Sequence, residues 1–152
     1  MSLRRAIAVL PQGHWTGDPV GTITLAFADR HKRRIRMIDD GGEAFLLDLP
    51  DAVLLGDGDG LELDGGGVIE VRAAEESVVD IACTDAAHAA RIAWHIGNRH
   101  TAVQVLDGGR LRMADDLVMV HMVEGLGGAV SRTTAPFEPE GGAYASGGGH
   151  AH

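Results

Sequence analysis

The sequence has little of three things that often reveal a function: cysteine, aromatic residues and basic charge. One cysteine, Cys83, is present among 152 residues, so no intramolecular disulfide can form. Aromatic residues make up only 4% of the chain, and the core must therefore be built mainly from Leu, Ile, Val, Ala and Met. The 22 acidic and 13 basic residues give a formal net charge of −9. Binding to nucleic acid by phosphate neutralisation is disfavoured, because it requires a basic surface.

Long apolar runs and known catalytic motifs are also missing. The apolar run in RRAIAVLP (4–11) is about five residues long, which is shorter than the hydrophobic region of a secretory signal. No segment approaches the roughly 20 apolar residues of a membrane span. The chain contains no G-x-S-x-G, H-E-x-x-H or C-x-x-C motif. We therefore expect a cytoplasmic protein that has no membrane segment and is not an enzyme.

Residues 1–74 consist of short β-like segments separated by glycine-rich turns. The predicted strands are TITLAFA (22–28), RIRMI (34–38), EAFLLDL (43–49), LELD (61–64) and VIEVRAA (68–74). The turns between them include DDGG (39–42), GDGDG (56–60) and GGG (65–67). No helical periodicity interrupts this series. The first 74 residues therefore predict a small all-β domain of about five or six strands.

From residue 75 the order of the predicted elements changes. Strands are expected at 78–84, 102–106, 110–114 and 129–134, and helices at 85–96 and 117–126. Thr84 or Asp85 can cap the first helix, and Gly97 can end it in the left-handed conformation. The order βαββαβ predicts a ferredoxin-like domain over residues 75–138 and an α+β protein overall. A tail rich in Gly and Pro, residues 139–152, is expected to be flexible.

The eight histidines are not equivalent candidates for metal binding. His100 follows Gly97-Asn98-Arg99 at a predicted corner, where a side chain can project freely, but one imidazole does not hold a metal ion tightly. His150 and His152 in the glycine-rich tail could provide further ligands, since imidazole suits nickel, copper and zinc. Solvent, packing or interface roles are favoured for the remaining histidines, which are His14, His31, His88, His95 and His121.

The second predicted helix, LVMVHMVEGL (117–126), is apolar nearly all round. One sheet can cover only one face of a helix, so a second subunit is expected to cover part of the remainder. This pattern predicts a homodimer with the helix at or near the interface.

Four segments together resemble the UreE family of urease accessory proteins. They are DRHKRRIRMIDDGGEAFLLDLP (29–50), HIGNRHTAVQV (95–105), LRMADDLVMVHMVEGLG (111–127) and APFEPEGGAY (135–144), the last preceding a histidine-bearing tail. The GNRH corner followed by a PFEPEGGAY-like segment is the most specific part. The resemblance extends over nearly the whole chain.

The resemblance implies an N-terminal β domain, a ferredoxin-like C-terminal domain and a homodimer formed through the latter. It implies that His100 of each subunit shares one metal ion at the interface, with His150 and His152 as additional ligands. The implied cargo is Ni(II), with Zn(II) or Cu(II) also able to bind. The implied partners are the urease accessory GTPase and the apo-urease complex, with no role for nucleic acid or membrane.

Two departures from the family pattern limit what the resemblance implies. Some members have His-x-His at the start of the second helix, where this chain has Asp115-Asp116-Leu117. Many members have a long histidine-rich tail, whereas this tail has two histidines, and its storage capacity for nickel is therefore expected to be low.

A different class of function stays open at this point. The chain could be a protein-interaction module whose histidines bind no metal specifically. An enzyme acting on a small ligand is a weaker alternative, because no nucleophile–base arrangement is visible. Equilibrium dialysis against nickel separates the first alternative from a chaperone, which should bind about one ion per dimer.

Overall fold

The computed structural model describes residues 3–141, which form two compact units, residues 3–74 and residues 75–140. The first unit contains six strands: β1 (Arg4–Leu10), β2 (Gly21–Leu25), β3 (His31–Ile38), β4 (Ala44–Leu54), β5 (Gly60–Leu63) and β6 (Val68–Ala73). The second contains β7 (Glu75–Ala82), α1 (Ala86–Asn98), β8 (Gln104–Val105), β9 (Leu111–Ala114), α2 (Leu117–Gly125) and β10 (Ala129–Pro136). The predicted α+β class is thus confirmed.

The first unit is one mixed sheet in the strand order β2-β6-β5-β1-β4-β3. Its core follows from alternation along β4, where Phe45, Leu47 and Leu49 are buried and the residues between them are more exposed. Strands β1 and β4 run parallel, as do β2 and β6, while the other neighbours are antiparallel. β3 has only one neighbour and therefore forms an edge of the sheet.

Two features of the first unit differ from the sequence prediction. No strand was anticipated at Arg4–Leu10, yet β1 lies in the middle of the sheet between β4 and β5. The predicted strand 22–28 ends early, because Phe27–Asp29 forms a single 3₁₀ turn. Arg30 follows this turn and is buried, with its carbonyl accepting a hydrogen bond from Leu55 N–H.

The second unit has the predicted ferredoxin-like arrangement. Its sheet has the order β10-β7-β9-β8, and all neighbours are antiparallel. Numbered within the unit, this is the order 4-1-3-2 that the pattern βαββαβ requires. The core combines residues of the sheet with residues of both helices: Val79, Ile81, Leu111 and Met113 with Ile92, Ile96, Met119, Val120 and Val123.

Both helices begin at an aspartate. Asp85 accepts a hydrogen bond from His88 N–H at 2.8 Å, and Asp116 accepts one from Met119 N–H at 3.0 Å. Each carboxylate satisfies an amide that has no partner inside its helix. Of the two alternatives given for the cap of the first helix, Thr84 and Asp85, the structure selects Asp85.

The end of α1 corrects the prediction for Gly97. That glycine is not left-handed but lies within the helix, which continues to Asn98. The left-handed residue is His100, with φ of 58°. The predicted strand 102–106 is reduced to the two residues of β8.

Candidate metal site

The corner after α1 is a Schellman motif in which a histidine occupies the position that glycine usually takes. Thr101 N–H donates to the carbonyl of Ile96 at 3.2 Å, and His100 N–H donates to the carbonyl of Gly97 at 2.9 Å. These are the two reverse bonds that define the motif, and they place His100 at the left-handed position. His100 is exposed, so its imidazole can reach a ligand or a second subunit.

His100 is the only residue other than glycine with positive φ among residues 3–141. For a residue with a Cβ atom, this conformation costs roughly 1–2 kcal/mol relative to ordinary backbone. Glycine would adopt it without that cost. The strained position therefore carries an exposed imidazole where glycine would meet the backbone requirement without strain.

The segment after β10 returns to the corner that carries His100. Glu138 N–H donates to the side-chain carbonyl of Gln104 at 2.9 Å, and Glu140 N–H donates to the carbonyl of Val103 at 2.8 Å. The Glu140 carboxylate in turn accepts a hydrogen bond from Val105 N–H at 3.1 Å. The chain therefore runs along β8. At its end Glu140 pairs with Val103, which is three residues after His100 in the sequence.

This attachment is absent from the sequence prediction, in which residues 139–152 are a flexible tail. The available signal was the pair of prolines in PFEPE, since proline and the residue before it favour extended backbone. Residues 142–152, with His150 and His152, lie outside the described residues. The predicted tail ligands are therefore not placed by the structure.

The start of α2 carries exposed apolar side chains. Leu117 is 77% exposed and Val118 is 69% exposed, while Met119 and Val120 in the same turn are buried. His121, one turn further along, is also exposed. The helix thus uses one face for the core of its own unit and leaves apolar side chains on another.

Asp115 and Asp116, which stand where some UreE members have His-x-His, have structural roles. Asp116 caps α2, and the carboxylate of Asp115 lies 3.2 Å from the guanidinium Nε of Arg132 on β10. Neither aspartate forms part of a ligand cluster in the described part of the chain.

His88 is buried and hydrogen-bonded at both ring nitrogens. Its Nδ1 accepts from Thr84 N–H at 3.0 Å, and its Nε2 donates to the carbonyl of Leu126 at 2.8 Å. Because the amide can only donate and the carbonyl can only accept, the ring is held as the neutral Nε2–H tautomer. His88 joins the start of α1 to the end of α2 and has no lone pair left for a metal ion.

The remaining histidines of the described chain do not converge. His95 is half-buried and meets the ring of Trp94 edge-on, with 5.0 Å between ring centroids, whereas His14 and His31 are exposed in the first unit. Within residues 3–141, no three His, Cys, Asp or Glu side chains are grouped so that they could hold a metal ion. The described part of one chain therefore holds no three-ligand metal site, and His100 would need ligands from elsewhere to hold an ion.

The surroundings of Cys83 disfavour the thiolate form that metals bind. Burial raises the pKa of the Cys83 thiol, and the nearby carboxylate of Asp85 raises it further. The thiol therefore stays protonated at neutral pH, and metals bind the thiolate.

No helix within residues 3–141 has the length and apolar character needed to cross a membrane.

Comparison with known families decides the identity of the fold. The profile described as "UreE urease accessory protein, N-terminal domain" matches residues 4–74, and "UreE urease accessory protein, C-terminal domain" matches residues 76–152. The chain belongs to the UreE family of urease accessory proteins.

Individual relatives support the same membership. The chain is 46% identical over 148 residues to the urease accessory protein UreE of Beijerinckia indica subsp. indica, covering 97% of this chain and 85% of the relative. It is 48% identical over 141 residues to UreE of Rhodopseudomonas palustris strain HaA2, covering 93% of this chain. That alignment spans 65% of the relative, so this chain covers just under two thirds of the longer protein. UreE of Chelativorans sp. strain BNC1 is 49% identical over 133 residues, or 86% of this chain and 84% of the relative.

Proposed function

We propose that this chain is a cytoplasmic metallochaperone that binds Ni(II) and delivers it to apo-urease during assembly of the urease active site. It has no catalytic role of its own. Membership of a family of urease accessory proteins supports the place in urease maturation. The observation that carries the metal-binding proposal is the exposed, left-handed His100 in a position where glycine would fit better.

The ion is bound at the interface of a homodimer. A twofold axis beside the corner brings His100 of each subunit to the same point, so that one residue per chain supplies two ligands. The apolar start of α2 supports dimer formation, because Leu117 and Val118 would be covered by the second subunit.

His150 and His152 complete the coordination from one or both tails. Val103 is three residues after His100, so their Cα atoms are at most about 11 Å apart. Glu140 N–H is fixed 2.8 Å from the carbonyl of Val103. His150 is the tenth residue after Glu140, and a glycine-rich linker of that length has a reach of about 17 Å. The attachment of Glu140 thus supports tail ligands that can reach the shared ion.

The proposed ligand set suits a carrier. Two to six neutral imidazoles match the preferences of Ni(II), and they also accept Zn(II) or Cu(II). Without thiolates the ligands exchange readily, and the ion can be passed to the urease accessory GTPase and the apo-urease complex. A protonated imidazole cannot bind a metal ion, so loading should release protons and weaken in acid.

Calorimetric titration with Ni(II) tests the proposal on the wild type, His100→Ala, a chain without residues 150–152, and the control His31→Ala. His100→Ala should abolish the interface site, while deletion of residues 150–152 should weaken it roughly tenfold, or about 1.4 kcal/mol. His31→Ala, which removes an exposed histidine from the first unit, should bind like the wild type. Absence of binding to the wild type would support a protein-interaction module instead. Unchanged binding by His100→Ala would assign the corner histidine to the fold alone.

A further inference from the structure

Basic charge in this acidic protein is concentrated on one strand. Within the seven residues 30–36 lie five of the 13 lysines and arginines, although the chain carries a net charge of −9. Arg30 is buried, and the other four lie on β3. These four residues, Lys32, Arg33, Arg34 and Arg36, are called the basic edge below, because β3 is the last strand on its side of the sheet.

Little negative charge from the same unit compensates the basic edge. The carboxylate of Asp48 lies 3.9 Å from Arg34 Nε but only 3.1 Å from Arg5 Nε, so Asp48 is shared with a closer partner. Arg33 donates to the carbonyl of Pro50 and not to a carboxylate. Within the described residues, Lys32 and Arg36 form no ion pair. The basic edge is therefore a cationic surface in a protein of opposite net charge.

The strand beneath these charges has a register shift between Lys32 and Arg34 and is regular from Arg34 onward. From Arg34 to Ile38, five successive residues pair in register with Asp48 to Ala44 of β4. Every second residue of an edge strand turns its N–H and C=O groups away from the sheet. In the part of the chain that the structure describes, β3 pairs with no strand other than β4. Just past its end, Asp40 N–H donates to the carbonyl of Thr22 on β2 at 2.8 Å, so that end of the edge is closed. An extended segment could therefore pair with β3 over the residues that precede Ile38.

The two faces of β3 define what such a segment must contain. Arg34 and Arg36 point to one face, and Ile35 and Met37 point to the other, where they lie opposite Leu47 and Phe45. Ile35 is 38% exposed, so part of the core is accessible from the edge. A strand that alternates acidic and apolar residues would place carboxylates beside the arginines and apolar groups beside Ile35.

We propose that the basic edge of β3 binds an extended acidic segment of a partner protein, which adds to the sheet as a further strand. The backbone of β3 supplies hydrogen bonds, and Arg34 and Arg36 select for acidic residues. The same charges repel a second copy of β3, so the edge is protected from self-association while it stays available to a partner of opposite charge. This inference concerns the first unit and does not depend on the metal site.

The probe is a fluorescein-labelled peptide of alternating glutamate and valine, matched in length to β3, and binding to the full chain is followed by fluorescence anisotropy. The wild type should bind it, and added salt should weaken binding. The double variant Arg34→Gln/Arg36→Gln should bind about tenfold more weakly, because two charge-assisted contacts are lost. A matched control, Arg91→Gln/Arg132→Gln, changes the net charge equally in the second unit and should bind like the wild type.

Two further probes separate strand addition from other kinds of binding. A peptide of alternating glutamate and proline keeps the charge, but every second residue lacks a backbone N–H and has its φ fixed by the ring, so the peptide should bind much more weakly. Equal binding of the two peptides would overturn strand addition, and no binding of the glutamate–valine peptide would overturn the site. Tighter binding of a single-stranded RNA oligonucleotide, lost in the Arg34→Gln/Arg36→Gln variant, would show a nucleic-acid surface instead. Self-association of that variant without loss of peptide binding would show that the charges only protect the edge.

Discussion

The backbone N–H of Glu140 donates to the carbonyl of Val103 at 2.8 Å, which holds the end of the described chain beside the corner that carries His100. The Glu140 side chain strengthens this attachment, since its carboxylate accepts from Val105 N–H. Whatever follows Glu140 therefore starts from a fixed point near the proposed ligand. A fixed starting point lowers the entropy that tail ligands lose on binding.

Loss of the Glu140 carboxylate should therefore weaken nickel binding only when the tail is present. We expect Glu140→Ala to lower the affinity about threefold to tenfold in the full chain, because it removes one side-chain hydrogen bond of the attachment. Calorimetry on the same substitution in a chain ending at residue 141 provides the control, and there the effect should vanish. An equal loss in both backgrounds would mean that Glu140 acts on the site directly.

Replacing His100 by glycine should separate stability from function. His100→Gly relieves the left-handed strain and should raise the free energy of unfolding by about 1 kcal/mol, while nickel binding at the interface is lost. Denaturant unfolding and calorimetry measure the two effects. Asn98→Gly is the matched control, because residue 98 is the last residue of α1 and has no left-handed strain to relieve, so glycine there should cost a few tenths of a kcal/mol. Destabilisation by His100→Gly would contradict the strain argument.

An aspartate at Val118 should separate the proposed dimer without unfolding the subunit. Val118 is exposed in the first turn of α2, where a negative charge favours the helix. Light scattering should show a shift from dimer toward monomer. Ala87→Asp places the same charge in the exposed first turn of α1 and should leave the mass unchanged. A dimer that survives both Val118→Asp and Leu117→Asp would place the interface elsewhere.

The second unit should lose stability in acid through Asp80. Arg112 donates to both Asp80 carboxylate oxygens, at 2.7 and 3.0 Å, and this pairing lowers the pKa of Asp80 below its usual range. Because the pKa is lower in the folded state than in the unfolded state, the stabilisation is present above about pH 4 and is lost as the pH falls through the folded value.

Asp80→Asn should therefore destabilise the protein by roughly 2 kcal/mol at neutral pH and flatten the acid limb of its stability curve. Denaturant unfolding at a series of pH values measures both effects. The control is Asp64→Asn, since Asp64 pairs with Arg5 at the surface, where both side chains are about half exposed. If the stability of Asp80→Asn falls with pH in parallel with that of the wild type, other carboxylates control the acid transition.

The sequence predicts the second unit better than the first, and the reason lies in its local signals. Asp85 and Asp116 mark the helix starts, and the apolar positions of α1 and β9 repeat with the expected periods. β1 gives no such signal. β1 is a central strand, and its sequence RRAIAVL is a short apolar run. Such a run does not distinguish a strand from a helix segment.

The sequence singled out His100 as a candidate ligand but did not predict the backbone geometry around it. The corner at His100 follows from Gly97 and Asn98 in the sequence, but which residue becomes left-handed depends on where Thr101 finds the carbonyl of Ile96. Such helix ends are uncertain by one or two residues in any sequence-based prediction. The attachment of Glu140 to Val103 joins segments far apart in sequence, and no local pattern specifies that pairing.

The central position of β1 also determines the order in which the first unit can assemble. β1 pairs with β4 at Phe45 and with β5 at Gly60, whereas β3 and β4 are joined by a short turn. Closing a hairpin costs little chain entropy, and closing the long loops to β1 costs more, so local pairs should form before β1 is inserted. β1, which completes the sheet, is therefore expected to pair last. Refolding of this unit should be slower than that of a simple β meander.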